Sequence, residues 1–219
     1  MIHEKIPYLY YYYFMRIKIC GLFREQDIDY VNEARPDYVG FVFAESRRQV
    51  SHVFAERMRS RLADSIVPVG VFVNAEIEDI VALYSDGVIS IAQLHGTEDE
   101  NYISRLKEAT GSNKEAVPVI KTVICKRAEK LTLPVSKTDY YLIDSGAGSG
   151  KAFDWKFLKE QKIEKPWFLA GGINIDNIEQ AIELNPFAVD ISSGAETDGI
   201  KDRKKILELI MKVKEGNIK

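Results

Sequence analysis

The chain has 219 residues, of which 46% are hydrophobic and 29% are charged, values typical of a soluble globular protein. The 30 basic and 33 acidic residues nearly balance, so the chain lacks the basic surplus of a nucleic-acid-binding protein. No apolar run reaches the roughly 18 residues that a membrane span needs. Cys20 and Cys125 lie far apart and lack metal-site spacing, so we expect a cytoplasmic protein without a metal site.

The first 14 residues differ from the rest of the chain and include four consecutive tyrosines, Tyr10 to Tyr13. They lack the apolar run and the small-residue cleavage site of a signal peptide. We interpret residues 1–14 as a flexible N-terminal extension and expect the native chain to start at Met15. The alternative is an additional aromatic strand or arm that packs against the body of the protein.

After Met15, short apolar runs alternate with amphipathic segments. The runs are mostly rich in β-branched or aromatic side chains, which is typical of buried strands. Eight strands are predicted: Ile17–Cys20, Tyr38–Phe43, Val67–Val73, Ile89–Leu94, Val117–Val123, Tyr140–Ile143, Trp167–Ala170 and Ala188–Ile191. The predicted helices are Glu25–Ala34, Ser51–Leu62 with Ser51 as its N-cap, Glu76–Tyr84, Asp99–Thr110, Arg127–Leu131, Asp154–Gln161, Ile175–Leu184 and Asp202–Val213.

Strand–helix alternation implies right-handed crossovers and a parallel sheet. Eight such units in a chain of this length predict a single-domain (β/α)8 TIM barrel over residues 15–219. A doubly wound open sheet is the alternative. It requires a glycine-rich phosphate loop after the first strand, where this sequence has Cys20-Gly21-Leu22-Phe23.

Polar residues fall at the carboxyl ends of the predicted strands, where TIM barrels carry their active sites. Cys20 ends the first strand and Asp144 follows the sixth, so a thiol and a carboxyl group can flank one small substrate as an acid/base pair. His95 follows the fourth strand and Asp190 lies in the eighth. Taken singly, Cys20 is more often a buried small side chain, and His95 is as readily a core histidine.

Two further features at this end of the barrel are suited to binding anions. Arg47 and Arg48 lie in the loop after the second strand and can clamp a carboxylate. The phosphate of a substrate is expected at the ends of the last two strands, where bare backbone N–H groups and a short helix N-terminus attract an anion. The residues at these two ends are Gly171, Gly172, Ser193 and Gly194.

Seven segments resemble phosphoribosylanthranilate isomerases and occur in that family's order from Met15 to the C-terminus. They are IKICGL at 17–22, GFVF at 40–43, VGVFVN at 69–74, QLHG at 93–96, GSGKAFDW at 148–155, LAGGI at 169–173 and VDISSGAE at 189–196. The combination of KICG, QLHG and GKAFDW distinguishes this family from related phosphate-binding barrels.

The resemblance implies a cofactor-free Amadori isomerisation of N-(5-phosphoribosyl)anthranilate in tryptophan biosynthesis. It assigns the general base to Cys20, the general acid to Asp144 and the ligand of the substrate's carboxylate to Arg48. We assign His95 and Asp190 to substrate binding. The phosphate sites map onto Gly171, Gly172, Ser193 and Gly194. The only partner expected is a small phosphorylated molecule, with neither nucleic acid nor membrane.

Some questions stay open at the level of sequence. The loop after the second strand departs from the family pattern at Glu45 and Gln49, so Arg47 competes with Arg48 as the carboxylate ligand. We expect Lys18 to face the barrel interior and to support the Cys20 thiolate. Another isomerase on the same barrel, such as the histidine-pathway aminoaldose isomerase, and a non-catalytic binding barrel are the alternative functions. Both a monomer and a homodimer are compatible with the sequence.

Overall fold

The computed structural model describes residues 15–111, 115–125, 131–133, 137–144 and 155–216. The N-terminal extension, residues 1–14, lies outside these ranges, and so do residues 145–154 after the sixth strand. In the described part of the chain, no helix is both long enough and apolar enough to cross a membrane.

Eight parallel strands form a closed barrel in which each strand pairs with the next and the eighth pairs with the first. The strands are β1 Arg16–Cys20, β2 Tyr38–Val42, β3 Val67–Phe72, β4 Ile91–Leu94, β5 Val119–Ile124, β6 Tyr140–Asp144, β7 Trp167–Ala170 and β8 Ala188–Ile191. The predicted TIM barrel is confirmed, and the open doubly wound sheet is wrong.

The described helices are α1 Glu25–Ala34, α2 His52–Arg61, α3 Ile77–Ser85, α4 Glu100–Gly111, α5 Ile178–Ile182 and α6 Arg203–Gly216. Ser51 caps α2 as predicted, since its Oγ accepts a hydrogen bond from Phe54 N at 3.2 Å. A 3-10 helix, Trp155–Glu160, stands where Asp154–Gln161 was predicted. Of the predicted helix Arg127–Leu131, only Leu131 is described, and it is not helical.

Local hydrogen bonds explain why some elements are shorter than predicted. Helix α5 begins at Ile178 because the side chains of Asn174 and Asn177 bond to nearby backbone amides and hold the preceding residues in a turn. Strand β5 begins after Pro118, which has no N–H to give to a neighbouring strand, while Val117 N donates to Thr110 Oγ1.

The barrel interior changes from apolar to polar toward the carboxyl ends of the strands. The inner apolar cluster contains Tyr38, Val69, Ile91, Ile120, Leu142, Phe168, Ala170 and Ala188. Four of these apolar residues are each followed, two positions later on the same face of the strand, by a polar residue. The four polar residues are Gln93, Thr122, Asp144 and Asp190. The remaining core packs between the outside of the barrel and the helices. The fold therefore collects the polar side chains at one end of the barrel.

A two-stranded hairpin follows β8. A 3-10 helix, Ser193–Ala195, leads into β9 Glu196–Thr197, which pairs antiparallel with β10 Ile200–Lys201. The two residues between them, Asp198 and Gly199, have φ values of 51° and 80°, as a tight hairpin turn requires.

Candidate active site

A cavity of about 390 Å³ opens at the carboxyl ends of the strands. Among the residues that line it are Cys20, Arg48, Gln93, His95, Asp144, Gly171, Gly172, Asp190, Ser192 and Ser193. Every site residue predicted from the sequence is thus in the lining except Gly194. A Cβ placed on Gly194 would lie 1.9 Å from Ile173 O, so this residue packs against the loop after β7.

The Cys20 thiol is buried at the end of β1, against the neighbouring strand β2. A Cβ on Gly40 would lie 2.6 Å from Cys20 Sγ, so the absence of a side chain at Gly40 leaves room for the thiol. Burial raises the pKa of Cys20, although the positive charge of Lys18 opposes this rise. Only a minor fraction of the thiol is therefore ionised at neutral pH.

The close contact between β1 and β2 leads to a prediction. Gly40→Ala is expected to displace the Cys20 thiol and to lower kcat by about 10-fold or more, since a shift of about 1 Å at a reacting group can cost about 10²-fold. Steady-state kinetics and the rate of Cys20 alkylation measure the effect, with circular dichroism as the check on folding. Gly111→Ala is the control, because its Cβ would be 3.4 Å from the nearest atom, an ordinary contact. An unchanged kcat and alkylation rate in Gly40→Ala would contradict the prediction.

Lys18 enters the barrel interior, as expected, and lies between two strands that carry acceptors. Its Nζ donates to Gln93 Oε1 and to Asp190 Oδ2, each at 2.9 Å. Although burial opposes the charge, Asp190 and Cys20 raise the pKa of Lys18. The other carboxylate oxygen, Asp190 Oδ1, is buried and has no partner among the described residues. A buried acceptor in a cavity wall is suited to a hydroxyl group of a ligand.

His95 lies between the polar layer of the barrel and Asp144. Its Nδ1 is 3.2 Å from Thr122 Oγ1, and its Nε2 is 3.8 Å from Asp144 Oδ2. Burial lowers the pKa of His95, so the imidazole is neutral at pH 7. The structure thus brings together Cys20 on β1, His95 after β4 and Asp144 on β6, around one cavity.

The two candidate arginines differ in their position relative to the cavity. Arg48 lines it and Arg47 does not, and both bind the carboxylate of Glu196. Glu196 was not singled out from the sequence. The dipeptide Asp198-Gly199 is nevertheless a signal for a two-residue hairpin turn. A turn at these two residues predicts that Glu196 and Lys201 lie opposite each other, as they do in the structure.

Residues at the ends of β7 and β8 line the cavity. Gly171 and Gly172 have φ values of 97° and 69°, a conformation that favours glycine. The amides of Ser193 and Gly194, at the start of the 3-10 helix, donate to no acceptor in the ranges that the structure covers. These amides can bind an anion, although Gly194 itself is not among the residues that line the cavity. The described residues contain no group of His, Cys, Asp and Glu side chains arranged for a metal.

Comparison with known proteins shows which family the chain resembles. The family model described as N-(5'phosphoribosyl)anthranilate (PRA) isomerase matches residues 17–212. The N-(5'-phosphoribosyl)anthranilate isomerase of Endomicrobium trichonymphae is 50% identical over 201 residues, covering 89% of this chain and 96% of the relative. That of Clostridium acetobutylicum is 46% identical over 208 residues, covering 91% and 98%.

Solved structures give the same result. The phosphoribosyl anthranilate isomerase of Thermus thermophilus has a TM-score of 0.76 at 30% identity, with 91% of this chain and 98% of that chain covered. Another phosphoribosyl anthranilate isomerase, solved in complex with reduced 1-(o-carboxyphenylamino)-1-deoxyribulose 5-phosphate, has a TM-score of 0.72 at 30% identity, with 92% and 99% covered. The resemblance seen in the sequence motifs is confirmed, and the chain belongs to the N-(5'-phosphoribosyl)anthranilate isomerase family.

Proposed function

We propose that Cys20 and Asp144 are the general base and the general acid of the isomerisation that this family catalyses. The reaction is the Amadori rearrangement of N-(5-phosphoribosyl)anthranilate to 1-(2-carboxyphenylamino)-1-deoxyribulose 5-phosphate, a step of tryptophan biosynthesis. The observation that carries the assignment is that one cavity is lined by a thiol from β1, a carboxyl group from β6 and glycine-rich ends of β7 and β8. Loss of the substrate's fluorescence in the wild-type enzyme and in the Cys20 and Asp144 variants tests it.

The acid step opens the sugar ring. Protonated Asp144 donates its proton to the ring oxygen of the ribosyl group, the bond between C1 and that oxygen breaks, and the nitrogen lone pair forms an iminium with C1. The neighbouring His95 is neutral at pH 7 and therefore places no positive charge beside this carboxyl group.

The base step moves hydrogen from C2 to C1. The Cys20 thiolate removes the C2 proton, and the electron pair of that C–H bond neutralises the iminium to give an enolamine. The enolamine is then protonated at C1 and loses the proton of its C2 hydroxyl group, which gives the ketone. The proton lost from this hydroxyl group replaces the one that Asp144 gave to the ring oxygen, so that no atom is lost or gained. The positive charge of Lys18 favours the thiolate that starts this step.

The remaining cavity residues hold the substrate between these two groups. Arg48 binds the carboxylate of the anthranilate ring. Asp190 Oδ1, buried and unpaired in the described structure, accepts a hydrogen bond from a hydroxyl group of the sugar. His95 lines the same wall and contacts the substrate near Asp144. The backbone amides of Gly171, Gly172, Ser193 and Gly194 bind the phosphate.

The phosphate assignment predicts an effect on substrate affinity. Gly172→Ala is expected to raise KM by about 10-fold or more with a smaller change in kcat, because the phosphate contacts are equally strong in ground and transition states. Inorganic phosphate should also inhibit the variant less strongly than the wild type. Kinetics at varied substrate and phosphate concentrations measure both effects.

A control variant at a second glycine distinguishes the effect of backbone strain from the effect of losing phosphate binding. Gly87 has a φ of 71°, close to the 69° of Gly172, and a Cβ on Gly87 would meet no atom within 4 Å. Gly87→Ala should therefore lower the stability of the protein only through the strain of an alanine in the left-handed conformation, and its KM should be unchanged. Gly194→Ala is a less suitable probe, since its methyl group would collide with Ile173 O. An unchanged KM and phosphate inhibition in Gly172→Ala would place the phosphate elsewhere.

A further inference from the structure

The hairpin after β8 contains a buried ion pair that lies next to the cavity. Its register places Glu196 opposite Lys201, and both side chains are almost fully buried. Lys201 Nζ donates to Glu196 Oε1 at 2.6 Å and to the carbonyl oxygen of Ser192 at 3.0 Å. The carboxylate of Glu196 is therefore fixed from one side by the strand that follows it.

Two arginines from the loop after β2 bind the same carboxylate. Arg48 Nε donates to Oε1 at 2.7 Å and Arg48 Nη2 to Oε2 at 2.9 Å, while Arg47 Nη2 donates to Oε2 at 2.5 Å. Although burial opposes the charge of Glu196, hydrogen bonds from Arg48 and Lys201 lower its pKa to about 2. Glu196 is thus ionised over the whole pH range in which an enzyme of this kind is assayed.

The pairing with Glu196 occupies one edge of the Arg48 guanidinium and leaves another edge available. A guanidinium has five N–H donors, and the Nε–Nη2 edge is taken by Glu196. Arg48 Nη1 has no acceptor within the described ranges, and Arg48 lines the cavity. The edge formed by Nη1 and Nη2 is suited to two parallel hydrogen bonds with a carboxylate.

The aliphatic part of Arg48 is held as well. A Cβ on Gly21, the residue after Cys20, would lie 2.4 Å from Arg48 Cδ, so the chain of Arg48 runs closely over the backbone at the end of β1. The backbone amide of Arg48 also donates to Ser46 Oγ at 3.2 Å. Arg48 is therefore constrained at its backbone, along its side chain and at its guanidinium.

We propose that Glu196, held by Lys201, is a positioning residue that presents the free edge of Arg48 to the carboxylate of the substrate. The inference rests on the proposed role of Arg48 as the carboxylate ligand. Holding the long arginine side chain in its binding conformation before the substrate arrives removes the cost of ordering it during binding. Without Glu196, Arg48 would sample other rotamers and the carboxylate would bind less tightly.

Glu196→Gln tests the inference, because a glutamine keeps the shape but replaces one of the two acceptor oxygens by an N–H₂ donor. The variant is expected to raise KM for phosphoribosylanthranilate by about 10-fold, the loss typical of a hydrogen bond to a charged group, with kcat changed much less. The inhibition constant of inorganic phosphate should stay close to that of the wild type. Arg47→Met is the matched control, since Arg47 binds the same carboxylate but does not line the cavity, and its KM should be unchanged.

Arg48→Met separates a failure of this inference from a failure of the proposed function. If Arg48→Met leaves KM unchanged, Arg48 is not the carboxylate ligand and the proposed function is wrong at this point. If Arg48→Met raises KM and Glu196→Gln does not, only the positioning role of Glu196 is wrong.

The double variant completes the test. Glu196→Gln combined with Arg48→Met is expected to raise KM no further than Arg48→Met alone, because Glu196 acts through Arg48. If Glu196→Gln does not fold, Glu196→Asp replaces it, since it keeps a charge for Lys201 and shortens the reach to Arg48. Additive losses in the double variant, or a weaker inhibition by phosphate equal to the loss in KM, would overturn the inference.

Discussion

Replacing Cys20 by serine is expected to lower kcat by roughly 10²- to 10⁴-fold while the barrel stays folded. The hydroxyl group is smaller than the thiol and fits the space beside Gly40, but it does not ionise in the range where the enzyme works. Cys125→Ser is the control, because Cys125 is a buried cysteine outside the cavity lining and its replacement should leave kcat unchanged. Loss of substrate fluorescence under saturating conditions measures kcat, and a wild-type kcat in Cys20→Ser would show that the base is another group.

The pH dependence of the alkylation rate of Cys20 provides a second measurement. Since burial raises the pKa of Cys20, the reactive thiolate increases as the pH rises through the alkaline range. The alkylation rate of the wild type should therefore still increase above about pH 9, beyond the pKa of about 8.5 of an ordinary thiol. In Cys20→Ser this alkaline increase should be absent. Its persistence would assign it to a different group.

Asp144→Asn is expected to reduce kcat by a similar factor, roughly 10²- to 10⁴-fold, with little change in KM. The amide has nearly the shape of the carboxyl group but has no acidic proton to give to the ring oxygen. The cavity around it, including His95, is unchanged, so the substrate should still bind. Steady-state kinetics with the fluorescent substrate measure both constants.

A second aspartate near β6 provides a contrast for this variant. Asp139 Oδ2 accepts hydrogen bonds from Lys107 Nζ at 2.6 Å and Val119 N at 2.7 Å, on the side of the barrel away from the cavity. Asp139→Asn should lower the melting temperature and leave kcat nearly unchanged, the reverse of Asp144→Asn. A wild-type kcat in Asp144→Asn would rule out Asp144 as the general acid.

The positions of Cys20 and Asp144 could be predicted because a barrel of parallel strands brings all carboxyl ends to one side. Once the eight apolar runs are recognised, the residue that ends each run is known to face the same region. The same reasoning places Lys18 inside the barrel, two residues before Cys20 on the same face. Such predictions require only the alternation of side chains along a strand.

The contacts of Glu196 with Arg48 could not be predicted in this way, because they join residues 148 positions apart through a hairpin and a loop. Neither element belongs to the barrel strands, so strand order does not determine their distance. The position of Gly194 depends likewise on the close approach of two loops, at Ile173 O. The length of α5 was overestimated because the side chains of Asn174 and Asn177 compete with helix formation.

The pairing of β1 with β8 links the order of folding to the appearance of activity. Lys18 and Asp190 are partners in that register, and their ion pair joins residues 172 positions apart. A fully buried ammonium group is costly without its carboxylate, so β1 reaches its final environment only when the last strand docks. A chain emerging from the ribosome therefore carries an open sheet edge until β8 is made, and non-local closure of this kind is slow. On the proposed assignment of the site, catalytic competence is acquired in that last step, because the strand that closes the barrel also supplies Asp190 and the backbone amides beyond it.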